Sequence, residues 1–210
     1  MTSVGGVDAT ASLWRARPRT LVRLFVGLWI FGTGEALLVA AELGNSPWTV
    51  FAQGLAEQTP VSVGAATVAT SFGVLALWVP LRVRPGLGTI ANAVVIGIAL
   101  DAALAVLGPA PLALRVLEVP AGIGLVGLGS GLYLGAALGP GPRDGLMTGL
   151  HRRTGLPLAL VRAGIEVSAL IVGAVLGGTV GVGTIAFAVL IGPAVAGALR
   201  VLGIRGVPAR

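Results

Sequence analysis

Polar and apolar positions in this chain segregate on the scale of whole helices, not single turns. Apolar runs fall near 21–42, 61–81, 87–107, 114–137, 157–178 and 183–203, separated by short stretches rich in Gly, Pro and Arg. About 20 apolar residues cross the hydrocarbon of a bilayer as a helix. The pattern therefore predicts an all-α, polytopic membrane protein with six transmembrane helices. The first run is too long for a signal-peptide core and has no clear cleavage site, so it reads as a span. Residues 1–20 are polar, end in Arg15, Arg17 and Arg19, and read as a cytosolic tail, as does 204–210.

The interruptions are not all alike. Leu43–Leu55 reads LGNSPWTVFAQGL and Leu138–Leu150 reads LGPGPRDGLMTGL, matching without a gap at an offset of 95 residues. The same offset carries Gly88-Thr89-Ile90-Ala91 onto Gly183-Thr184-Ile185-Ala186, and Gly27, Gly32 and Gly34 onto Gly122, Gly127 and Gly129. Glycines coincide cheaply in an apolar chain, but a constant register over three blocks marks an internal duplication. One repeat covers 21–107 and the other 114–203. Three spans per repeat is an odd number, so the second repeat enters the membrane from the opposite side. The halves are expected to be inverted repeats, with any binding site at their interface near the midplane.

Ser46-Pro47 and Gly141-Pro142 place a capping-type residue before a proline suited to a first helical turn. A helix of about ten residues should follow each, too short to span. Pro47, Trp48 and Pro142 mark the two helix starts. The helices either dip into the membrane as re-entrant elements backed by protein, or lie flat in the interface anchored by Trp48, Phe51 and Leu55.

Composition reinforces the membrane assignment. Hydrophobic residues are 55% of the chain, charged residues 10%, and the mean hydropathy is +0.97. A soluble domain carries about 25% charged residues, so the lipid bilayer is the natural partner. The net charge of +6 belongs to topology, not to nucleic acid. With the N-terminus inside, the inner segments hold Arg15, Arg17, Arg19, Arg23, Arg82, Arg84, Arg143, Arg152, Arg153, Arg200, Arg205 and Arg210, and only Arg115 falls outside. That bias predicts a multi-pass protein of the bacterial inner membrane with both termini cytoplasmic. The outer segments carry Glu42, Glu57 and Glu118. With no cysteine and a single histidine, His151, thiol chemistry and a multi-histidine metal site are excluded within one chain. No cofactor is implied.

The run GPRDGLM at 141–147, the later Arg162 and Glu166, and the GVGT at 181–184 resemble the YczE family of bacterial membrane proteins, in the YczE/YyaS/YitT group. SPW at 46–48 is similar to that family's first-half motif, which usually reads PWD; Thr49 stands where the aspartate is common. The resemblance covers roughly 22–203. It implies a polytopic membrane protein often labelled a transporter or permease, and supplies no substrate.

Candidate chemistry lies in the asymmetry of the halves. The offset pairs Arg143 with Trp48, Asp144 with Thr49, Arg162 with Thr67 and Glu166 with Ser71, so the charged set belongs to the second half. Arg162 and Glu166 are i and i+4 on the fifth span, share a face, and are expected to form a pair buried in the bundle. Arg143 opens the second short helix, where backbone N–H groups favour an anion. Glu35 and Asp101 lie in spans without a charged neighbour in sequence, and are candidates for proton coupling or for structural hydrogen bonding. Asn92 reads as an interhelical hydrogen-bonder. The expected function is a transporter or channel for an unidentified small solute, anionic or proton-coupled, with Arg143, Asp144, Arg162 and Glu166 as substrate-binding candidates. A non-transporting scaffold for a biosynthetic or secretory complex is the alternative, and association of copies into a homo-oligomer is left open. No serine–histidine pair, zinc helix motif or phosphate loop argues for an enzyme.

Overall fold

A computed structural model describes residues 13–204 of the chain. These residues form eight α-helices and, among them, no strand: α1 Pro18–Ala41, α2 Pro47–Glu57, α3 Val63–Leu81, α4 Leu87–Leu104, α5 Leu112–Leu134, α6 Pro142–Thr154, α7 Leu158–Val175 and α8 Val182–Val201. Six are long and apolar enough to cross a membrane: α1, α3, α4, α5, α7 and α8. α2 and α6 are the two short helices announced by the duplicated motif. The protein is a polytopic all-α membrane protein. Its large outward-facing side chains, such as Val79, Val175, Val189 and Ile185, are apolar because lipid, not water, is their solvent. The expected tails lie mostly outside the described residues. The first span begins earlier than expected, because Pro18 occupies its first turn and needs no N–H partner there. Pro120 and Pro193 lie inside α5 and α8, which continue past them.

The duplication is visible as symmetry. α1 and α5, equivalent by the offset, pack against each other along the centre. Gly27 meets the backbone at Gly129, and Gly34 meets that at Gly122, so the two helices run antiparallel and cross through glycines. Each pair maps onto the other under the offset. The two-fold axis therefore passes between α1 and α5, and the halves are inverted. α4 flanks α1 as α8 flanks α5.

Each motif docks onto the opposite half. The Gly183 N–H donates to the Leu43 carbonyl at 2.8 Å, and the Gly88 N–H donates to Leu138 at 2.8 Å. The turns before the short helices need a left-handed residue, supplied by Gly44 (φ 112°) and Gly139 (φ 115°). Thr184 and Thr89 each return a side-chain oxygen to the N–H of the glycine capping α8 or α4, at 3.3 and 3.1 Å. The repeated GxGT and LG blocks are thus two sides of one contact, made twice.

Candidate functional site

The short helices meet tip to tip. α2 follows the C-terminal end of α1 and α6 follows that of α5. Because α1 and α5 are antiparallel, these ends lie on opposite sides of the bundle. Even so, Arg143 in the first turn of α6 stacks over the Trp48 ring in the first turn of α2, 5.0 Å from the ring centroid. Helices lying flat on opposite surfaces could not touch, so the chain dips into the bundle before each short helix, and α2 and α6 start inside it and run back outward, as re-entrant elements do. The Ser46 hydroxyl caps α2 by accepting from the Thr49 N–H. α6 begins at Gly141-Pro142 without a side-chain cap.

Their tips border a central cavity of about 430 Å³ to which all eight helices contribute. Glu35 of α1 lines it and is 1% exposed. Its Oε2 accepts from the Thr49 hydroxyl at 2.6 Å and the Ser46 hydroxyl at 3.1 Å, while its Oε1 has no partner. In the second half the equivalent of Thr49 is Asp144. Its carboxylate accepts from the Tyr133 hydroxyl of α5 at 2.8 Å. In each repeat, then, the fourth motif residue reaches back to the first span of its own half. The half-buried Arg143 guanidinium makes no hydrogen bond or ion pair among the described residues; its one specific contact is the Trp48 face.

Of the sequence candidates, Glu35, Pro47, Trp48, Pro142, Arg143, Asp144, Arg162 and Glu166 all line this cavity. Asn92 also lines it, although it was expected only to bridge helices. Of the two readings left open for Asp101 the contacts fit the structural one, and one expectation, on Arg162 and Glu166, needs correction. Asp101 does not reach the cavity. It sits across from the start of α3, where its carboxylate accepts from the Gly64 N–H at 2.8 Å and from the Ser62 hydroxyl, satisfying N–H and O–H groups at a helix N-terminus. Arg162 and Glu166 pair as expected, at 2.9 Å, but their side chains are 55% and 39% exposed, so the pair is not buried. It stands at the cavity edge because α7 packs on α2 and α6 and leaves that face uncovered. Sequence reasoning missed Tyr133 and Ser130. The signal for the first was that the chain's only tyrosine falls late in an apolar run, one turn before the motif.

Two ties hold the re-entrant pair in place. The Trp78 indole N–H of α3 donates to the Pro142 carbonyl at 2.9 Å, and its ring lies against Gly145, where any β-carbon would overlap it. On the α2 side, the Gln53 amide bridges Asn45 and Thr179, donating to the Thr179 hydroxyl at 3.0 Å and accepting from its N–H at 2.9 Å.

Comparison with known proteins gives relatives without an assigned activity. Residues 18–199 match the model of a family of unknown function, DUF6198. A Haemophilus influenzae protein described as uncharacterised is 43% identical over 189 residues, covering 89% of this chain and 86% of that protein. The Bacillus subtilis uncharacterised membrane protein YczE is 34% identical over 174 residues, covering 80% of each. No solved structure matches.

Proposed function

We propose, from the premise that the chain belongs to the DUF6198 family of YczE-like membrane proteins, that it is a transporter binding a small anionic solute at the junction of its inverted repeats. One observation carries this reading. Arg143 is the only charged group bordering the cavity that has no ionic or hydrogen-bond partner among the described residues; Asp144, Glu35, Arg162 and Glu166 each have at least one. Three cavity carboxylates, Glu35, Asp144 and Glu166, lie near enough to offset the Arg143 charge, but none accepts a hydrogen bond from it. Its N–H groups are left for a ligand, and an intramembrane guanidinium in that state defaults to a functional role. Here it is presented from a helix N-terminus, and its flat fork suits a carboxylate or phosphate. The free Oε1 of Glu35 supports coupling to protons. A buried carboxyl oxygen with no donor is satisfied by a proton or by water entering from the cavity.

The two-fold supports alternating access, since a bundle that closes one way by one half's contacts can close the other way by its counterpart's. The arginine bias supports an orientation with both termini in the cytoplasm of a bacterial inner membrane. The test is a thermal-shift screen of small carboxylates and phosphates on purified protein, followed by flux in proteoliposomes. A binder should stabilise the protein in step with its concentration over Kd, and Arg143→Gln should abolish the shift, while the unliganded stability falls by no more than about 0.5–2 kcal/mol, the worth of the lost Trp48 contact. Binders that stabilise the Arg143→Gln protein as well would sink the assignment.

A further inference from the structure

The duplication supplies an internal control for how the cavity closes. In the first half, α3 and α4 are packed tightly: Gly64 and Gly97 bring the two backbones together, and Asp101 takes hydrogen bonds from Ser62 and from the Gly64 N–H. In the second half the equivalent helices are α7 and α8, and they scarcely touch. The offset shows why. Ser62 becomes Pro157 and Asp101 becomes Ala196, so both side chains of the clasp are gone, and Gly64 becomes Ala159, whose methyl keeps the backbones apart. Gly97 becomes Gly192, and a β-carbon there would meet nothing within 4 Å. α7 is held by α2 and α6, and α8 by α5, with the cavity between them. Since both are spanning helices, the slot faces the bilayer, not water.

We infer that ligands enter the cavity sideways from the membrane through the slot between α7 and α8, and that the ligand is an amphiphile with an anionic head and a single alkyl chain. This rests on the transporter reading for the site and adds its substrate class and route. The two walls of the slot differ in the way such a molecule requires. α8 presents Phe187, Ile191, Val195 and Leu199 to the cavity, an apolar face about 18 Å long at the helical rise per residue. α7 presents the Arg162–Glu166 pair at the rim. A half-exposed ion pair bordering hydrocarbon is unfavourable against alkyl chains alone, and favourable where headgroups pass. Beyond it the head meets Arg143, which has no acceptor of its own, while the tail stays on the α8 face. A solute without a tail would leave that face to bilayer lipid alone, whereas an alkyl chain on the ligand covers it in the same step in which the head reaches Arg143.

The experiment uses the full chain in nanodiscs and a palmitoyl-length fatty acid carrying a diazirine in its tail. After photolysis, adducts are expected at Phe187, Ile191 and Val195, in addition to the lipid-facing Val189. Arg143→Gln should lower the cavity adducts roughly tenfold, the loss of one charge-assisted contact, without changing those at Val189. Excess unlabelled palmitate should protect the cavity positions and excess butyrate should not. The route is tested separately in the otherwise unaltered protein. Ala159→Cys and Gly192→Cys, joined by a short thiol-cleavable bis-maleimide in this cysteine-free chain, should block cavity labelling, and cleavage of the linker should restore it. Equal protection by butyrate would show that the site reads only the head. Labelling unaffected by either the cross-link or Arg143→Gln would reduce the adducts to surrounding lipid. Either result overturns the inference. A transported water-soluble anion with no palmitate labelling would keep transport and remove the amphiphile. Cavity labelling without any flux would do the reverse.

Discussion

Asp101 separates a structural carboxylate from a proton-coupling one. It accepts two hydrogen bonds at the α3–α4 seam: one from the Gly64 N–H, half-buried, and one from the exposed Ser62 hydroxyl. Hydrogen bonds to a charged acceptor contribute about 1.5–3 kcal/mol each, and the exposed one falls at or below the lower end. Asp101→Ala removes both and frees a helix N-terminal N–H, so it should cost about 2–4 kcal/mol. Asp101→Asn keeps an oxygen for Gly64 and offers an N–H to Ser62, so its cost should stay near 1 kcal/mol or below. A Ser62→Ala, Asp101→Ala cycle should show a coupling of about 1 kcal/mol, since the partners touch. The assay is reversible denaturation of the detergent-solubilised protein, run beside flux or ligand binding across a pH series. The order wild type, Asn, Ala in stability, with unchanged pH dependence in the Asn protein, is expected. A fully stable Asp101→Asn protein that has lost its pH response would refute the structural assignment and return Asp101 to the coupling path. An Asp101→Ala protein as stable as wild type would show that glycine packing alone holds the seam.

Other outcomes follow from single contacts. Thr49→Val withdraws the 2.6 Å donor from the buried Glu35 carboxylate and should cost about 1–3 kcal/mol, with Thr49→Ser restoring most of it in the same melt. Gly145→Ala forces a methyl into the Trp78 ring, so about 1–3 kcal/mol should be lost, whereas the equivalent position in the first half already carries Val50. Glu166→Gln and Arg162→Gln should leave stability within about 0.5 kcal/mol, the range of an exposed i, i+4 pair, yet impair transport; a loss of several kcal/mol would mean that the pair is enclosed in the working state. Cysteines at the exposed ends Glu57 and Arg153 should label from opposite sides of the membrane, and same-side labelling would contradict the inversion.

Much of the architecture was legible in the sequence, because the bilayer imposes a rule that one dimension can express. A span must be apolar along about 20 residues, so six runs gave six helices. An unbroken 95-residue register over three blocks gave the repeats, and three spans each gave their inversion. The short helices were legible too, since Ser46-Pro47 and Gly141-Pro142 each set a capping-type residue before a proline suited to the first helical turn. What one dimension does not carry is which ends meet. Ser46 and Thr49 clasp Glu35, Tyr133 clasps Asp144, and Arg143 finds Trp48 across the two-fold; each contact depends on how deep α2 and α6 dip. The same holds for the charges that sequence treated alike. Glu35 and Asp101 are both lone carboxyls in apolar runs. Only tertiary packing put the first into the cavity and the second onto the cap of α3, because the face a helix buries is chosen by its neighbours, and in helices apolar on every side the sequence marks no preferred face.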